Sequence, residues 1–127
     1  KIINKDISSN ENLEKIGQIS FVSKILNNTS SRDLMSINDN ILKNQSNMIV
    51  SLFSINEKKC SILISVSKDI QSNFNAIDIV KKVTEILGGK GGGGRPDLAQ
   101  SGGTKSDKID DAIKFLKDFI LNKIENL

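Results

Sequence analysis

The chain has no histidine, no tryptophan and no tyrosine, and it has one cysteine and one proline. Without histidine it lacks the commonest general base and the commonest metal ligand. Ser–His and Cys–His nucleophilic chemistry are therefore excluded within these 127 residues. Cys60 is the only cysteine, so no intrachain disulfide can form, which fits a reducing compartment. It sits in an apolar run, where a buried structural thiol is expected rather than a nucleophile. All five aromatic residues are phenylalanines. Phe53, Phe115 and Phe119 fall on expected core faces, and Phe21 and Phe74 are expected there too. No stacking platform for single-stranded bases emerges, which argues against readers of the RRM or OB type. No apolar segment is long enough to span a bilayer and the N-terminus lacks a signal-peptide core, so a cytoplasmic chain with no membrane partner is expected.

The length suits one domain that can bury a core without metal or disulfide staples. Apolar residues make up 37%, with Asn and Ser in place of the missing ones. A net charge of +3 and a pI near 9.0 permit nucleic-acid binding but cannot hold a long polyanion tightly. Any such binding must be local or shared with other parts of a larger protein. The chain starts at Lys1 without a methionine and is expected to be a piece of a longer protein.

Residues 1–14 are polar and read as a linker or the end of a preceding helical segment; residues 15–127 read as the globular domain. A first strand is expected from Gly17 to Leu26. Ser30 precedes Asp33 at capping-box spacing, so a helix should begin there and run to about Gln45, with Leu34, Ile37 and Ile41 on one face. Met48 to Ile55 is apolar on both faces, as in a central strand. After a polar turn at residues 56–59, Cys60, Ile62, Ile64 and Val66 alternate as a second strand closing a hairpin. Asn73 is positioned to cap a helix lined by Ala76, Ile79, Val80, Val83 and Leu87, which Gly88-Gly89 should end. Thr104 and Asp107 repeat the capping-box spacing before a last helix carrying Ile109, Ala112, Ile113, Leu116, Phe119 and Ile120. Leu98 to Ser101 is a candidate extra strand. The order implies an α/β (α+β) fold, a mixed β-sheet with helices packed on it.

Nearly all of the nine glycines, and the only proline, lie in Gly88-Gly89-Lys90-Gly91-Gly92-Gly93-Gly94-Arg95-Pro96-Asp97-Leu98-Ala99-Gln100-Ser101-Gly102-Gly103. A P-loop is excluded, because Lys90 is followed by Gly91 rather than Ser or Thr. A dinucleotide fingerprint needs a strand immediately before it, and here a helix precedes. Two readings stay open on the residues alone. One is a flexible linker with no ligand. The other is a nest whose backbone N–H groups face a nucleic-acid backbone, flanked by Lys90 and Arg95. The Arg95-Pro96-Asp97 punctuation and the second Gly-Gly favour the nest.

This segment closely resembles the signature near the C-terminus of alanyl-tRNA synthetases, Gly-Gly-Arg-Gly-Gly-Gly-Arg-Pro-Asp-Met-Ala-Gln-Ala-Gly-Gly. Lys90 stands for arginine, Leu98 for methionine, and one extra glycine lengthens the run. The element order also resembles the globular part of that C-terminal domain, a DHH-associated domain. The same module accompanies DHH phosphoesterases, where a Gly-Gly-Gly-His segment contacts substrate; here Arg95 stands where that histidine would, and the spacing to Gln100-Ser101-Gly102 is longer.

The resemblance implies a non-catalytic tRNA-binding domain of an alanine–tRNA ligase. It would hold tRNA(Ala), toward its elbow, for aminoacylation and editing and would pack with the upstream domains. Support for homodimerisation is a further expectation. It implies no cofactor in this piece, while ATP and Mg, with Zn as a further candidate, belong to the whole enzyme. Under this reading Lys90, Gly91, Gly92, Gly93, Gly94, Arg95, Gln100, Ser101, Gly102 and Gly103 form the nucleic-acid-binding set. The glycines would donate N–H groups to phosphate or ribose, Arg95 would make a charge-assisted contact, and Gln100 and Ser101 would reach ribose hydroxyls or base edges. Lys105 and Lys108 would add looser electrostatics. The substrate-binding domain of a DHH phosphoesterase and a purely structural dimerisation domain are the alternatives.

Overall fold

The computed structural model of the chain describes residues 12–89 and 92–126. Six strands form one sheet in the order β1-β2-β3-β4-β6-β5, where β1 is Asn12–Ile16, β2 Ile19–Asn27, β3 Met48–Asn56, β4 Lys59–Val66, β5 Gly93–Arg95 and β6 Leu98–Gly103. The pair β2–β3 is parallel and every other pair is antiparallel, so the sheet is mixed as expected. The helices are α1, Ser31–Leu42; α2, Ala76–Ile86; and α3, Ile109–Glu125.

The central strands β3 and β4 carry apolar side chains on both faces, and this dictates a three-layer arrangement. On one face Val22, Met48, Val50, Leu52 and Leu63 pack with Leu34 of α1. On the other, Phe21, Ile49, Phe53, Ile62, Ile64 and Val66 pack with Ile79, Val80 and Val83 of α2 and Ala112, Leu116 and Ile120 of α3. Phe74 and Cys60 are buried in that second core, as their apolar surroundings imply. Two serines inside the sandwich find partners: the Ser65 hydroxyl donates to Asn38 Oδ1 on α1, and Ser54 Oγ accepts from the Thr29 N–H at 2.8 Å, whereas the buried Ser23 hydroxyl makes no hydrogen bond.

Three local expectations change. Strand β1 opens within the polar residues 1–14; residues 12–14 pair with β2 across a two-residue turn at Gly17, whose φ of 62° suits glycine. Residues 1–11 lie outside the described part. The cap of α2 is Asn75, not Asn73: its Oδ1 accepts from the N–H groups of Ile77 at 2.8 Å and Asp78 at 3.4 Å. Thr104 and Asp107 form no capping box, because a 3₁₀ turn at Ser106–Lys108 precedes α3 and the Thr104 hydroxyl donates to Gly88 O at 3.4 Å. At α1 the expectation holds, with Ser30 Oγ accepting from the Asp33 N–H at 3.1 Å.

The two asparagines before α2 make a direct comparison. Asn75→Ala is expected to lower stability by about 1 kcal/mol through loss of the cap. Asn73→Ala should stay within about 0.5 kcal/mol, as for a surface substitution. Urea unfolding of both variants checks the assignment.

Candidate nucleic-acid interface

From Gly93 the glycine-rich segment is a paired strand rather than a free loop, with Gly93↔Gln100, Gly94↔Ala99 and Arg95↔Leu98 in register. Pro96 and Asp97 make the turn between β5 and β6, where proline's fixed φ suits the first corner position. The turn is pinned on two sides: Pro96 O accepts from the Ala76 N–H at 2.8 Å, and Asp97 O from the Val66 N–H at 2.9 Å. Arg95 is thereby held at the outer edge of the sheet, with its side chain 67% exposed. Its Nε lies 3.5 Å from Asp97 Oδ1. An exposed pair of this kind is worth under about 1 kcal/mol, so most of the guanidinium fork stays available to an anion.

Strand alternation divides the sequence-defined site between two faces. Gly93, Arg95, Gln100 and Gly102 share the face of Leu63 and Ser65, the side on which α1 lies. There α1 packs against β3 and β4, leaving Leu98, Gln100 and Gly102 half-buried and Gly93 and Arg95 exposed. Ser61, opposite Gly102 on β4, is half-buried on this face. Sequence reasoning passed over it, although the alternation of β4 marks it. Gly94, Ser101 and Gly103 belong to the α2 side. The Ser101 hydroxyl is buried and makes no hydrogen bond, with a Cβ at Gly92 falling 2.8 Å from its own Cβ. Lys90 and Gly91 lie outside the described residues.

Two glycines on the α2 side answer to protein packing. A Cβ on Gly103 would stand 2.8 Å from the Leu87 Cβ and collide with Leu87 O, the carbonyl that receives the N–H groups of Thr104 at 3.0 Å and Lys105 at 2.9 Å. A Cβ on Gly94 would stand 2.7 Å from the Ala99 Cα, at a φ of 149°. At Gly93, by contrast, a Cβ meets nothing within 4 Å. Lys105 lays its alkyl stem over Gly88, and Lys108 Nζ is 3.8 Å from Asp111 Oδ2. Behind this strand the Cys60 thiol is held above its ordinary pKa by burial, with a backbone hydrogen bond from Gly103 opposing the shift. Cys60 therefore stays a protonated core group. Among the described residues no cluster of three or more His, Cys, Asp or Glu is placed to hold a metal ion. Among the same residues no helix is long and apolar enough to cross a membrane.

The model of the DHHA1 domain matches residues 18–122, nearly all of the sheet and helices just described. The chain belongs to the DHHA1 family. Within it, the resemblance to alanyl-tRNA synthetases is shown by two further comparisons. The alanine–tRNA ligase of Paramagnetospirillum magneticum is 38% identical over 98 residues, 77% of this chain. The crystal structure of the C-Ala domain from Aquifex aeolicus alanyl-tRNA synthetase superposes with a TM-score of 0.82 at 31% identity, covering 87% of this chain and 98% of that one. A pGpG-specific phosphodiesterase from Vibrio cholerae has a TM-score of 0.52 at 12% identity, covering 96% of this chain and 39% of that one, a likeness of fold alone. This DHHA1 domain spans 11 or 12% of the length of the curated ligases it matches.

The division between packed and open glycines has a measurable outcome. Gly103→Ala and Gly94→Ala are expected to destabilise the domain by about 1–3 kcal/mol through overpacking. Gly93→Ala should change stability by less than about 0.5 kcal/mol. Thermal unfolding of the three variants separates the two groups.

Proposed function

We propose that this DHHA1 domain is the C-terminal tRNA-binding part of an alanine–tRNA ligase and that it holds tRNA(Ala) through the open face of β5 and β6. The observation that carries this is the exposed Arg95 fork, pinned by the Pro96–Asp97 turn beside the open backbone at Gly93. A guanidinium engages two phosphate oxygens at once, and exposed N–H groups add neutral donors nearby. The likeness to the C-Ala domain supports the choice of RNA. The proposed role of the domain is non-catalytic, and the absence of histidine leaves it without Ser–His or Cys–His chemistry. Activation of alanine with ATP and Mg, and editing, are assigned to the rest of the ligase, and so is any zinc. The upstream domains of the same ligase and a second copy in a homodimer complete the expected partners, with the cytoplasm as the site of action.

The alternative role in a phosphoesterase is disfavoured by Arg95, which cannot release a proton near neutral pH as a histidine does. Arg95→Ala is expected to weaken tRNA binding several-fold and to reduce the salt slope by about 0.9, one phosphate contact on duplex RNA treated like a duplex polyanion. Circular dichroism should be unchanged, because the side chain is exposed. Filter binding at three salt concentrations reads both quantities; unaltered affinity and slope would overturn the role of Arg95.

A further inference from the structure

The open face of β6 continues past the signature, and its far end is basic. Following the register from Arg95, the open strip runs through Leu98, then Gly93 and Gln100, then Gly102 and Ser61, to Lys59 at the start of β4, beside Ser65 and Leu63, which α1 covers. Lys59 is exposed and has no ion-pair partner among the described residues. The N-terminal end of α1 reaches the same end of the sheet, because the Thr29 N–H is bound by Ser54, which lies opposite Ser61. Asn38 of α1 turns toward β4, where it meets Ser65, so α1 walls the strip on one side. Six residue steps along β4 and two strand spacings across the sheet separate Lys59 from Arg95 by roughly 22 Å.

We propose that this face is a track for double-helical RNA, gripped at one end by Arg95 and at the other by Lys59. The inference rests on the tRNA-binding reading and adds a second anchor that the glycine signature does not contain. The middle of the track carries the polar side chains of Gln100 and Ser61 and the bare backbone of Gly93 and Gly102. Such a lining suits ribose hydroxyls and phosphates, which line the wide, shallow minor groove of an A-form helix. No aromatic ring lies on it: Phe21, Phe53 and Phe74 are buried in the opposite core, and Phe115 and Phe119 pack against that core from α3. Without a ring to stack on, splayed single-stranded bases lose the main source of their affinity. The glycine pair Gly93 and Gly102 keeps the surface low between the two basic ends, so both can reach one duplex.

The test compares Lys59→Glu and, as a control on the α2–α3 side, Lys123→Glu, with Arg95→Ala as reference. The probes are a tRNA(Ala) transcript, a plain RNA hairpin of one helical turn and a single-stranded oligonucleotide of equal length. The whole chain is suitable, since the Aquifex C-Ala domain crystallised as a chain of about this extent. Lys59→Glu should weaken tRNA and hairpin binding several-fold and flatten the salt slope by about 0.9 for the lost contact. Lys123→Glu should leave both unchanged. Full affinity in Lys59→Glu while Arg95→Ala loses binding would overturn the track and leave the proposed function standing. Preference for the single strand over the hairpin would overturn it as well. If the unaltered chain bound none of the three RNAs, the tRNA-binding reading itself would fall.

Discussion

Backbone in contact with backbone, where the end of α2 meets β6, is the constraint on which the rest of this structure depends. Leu87 O receives two N–H groups from the chain that has just left Gly103, and any side chain at Gly103 would displace that carbonyl. The contact seats α2 on the sheet and fixes where α2 ends. It thereby sets where the glycine-rich segment must leave the helix and return as β5. The other anchor is the turn at Pro96, whose carbonyl holds the first residue of α2. Helix and hairpin are tied at both ends, and the position of Arg95 follows from those ties.

Seen this way, the glycine signature serves two purposes that one string of letters merges. Gly94 and Gly103 let main chains approach; Gly93 keeps an outer surface bare, and a Cβ on Gly102, on the same side, would press on Cys60 O at 3.1 Å. The strand period of two separates them, since neighbouring residues of β5 and β6 necessarily point to opposite sides. On the outer side a held guanidinium stands beside unshielded peptide groups, the kind of donor set that suits a nucleic-acid backbone.

Much of this was legible in the sequence. The apolar runs of β3 and β4, the Ser30 cap, the buried side of α3 and the end of α2 at Gly88 all follow from period and cap chemistry. What failed did so for identifiable reasons. Strand β1 is an edge strand with Leu13 60% exposed, so it carries no clean alternation, and only Gly17 announces its turn. Asn73 and Asn75 are equally good caps as letters; the choice falls to Phe74, whose burial requires the chain to pass it before the helix can start. Thr104 was drawn from its capping role by Gly88 O, a partner distant in sequence. The two-faced character of the glycine segment is hidden in the letters because Gly93 and Gly94 carry no side chains to alternate, and only Leu98 to Ser101 shows as a candidate strand.

The brevity of β5 has a consequence for the protein at high concentration. An outermost strand with unpaired peptide groups is a template on which a stranger's strand can add, the first step toward fibrils. Three residues, two of them glycine, give such a stranger almost no length to grip and no apolar side chain to interlock with. At the opposite border β1 presents charged Glu14 and Lys15 in its five residues. Among the described residues both borders of the sheet are thus poor seeds, and a sheet face can stay uncovered without inviting copies of the chain to polymerise along it.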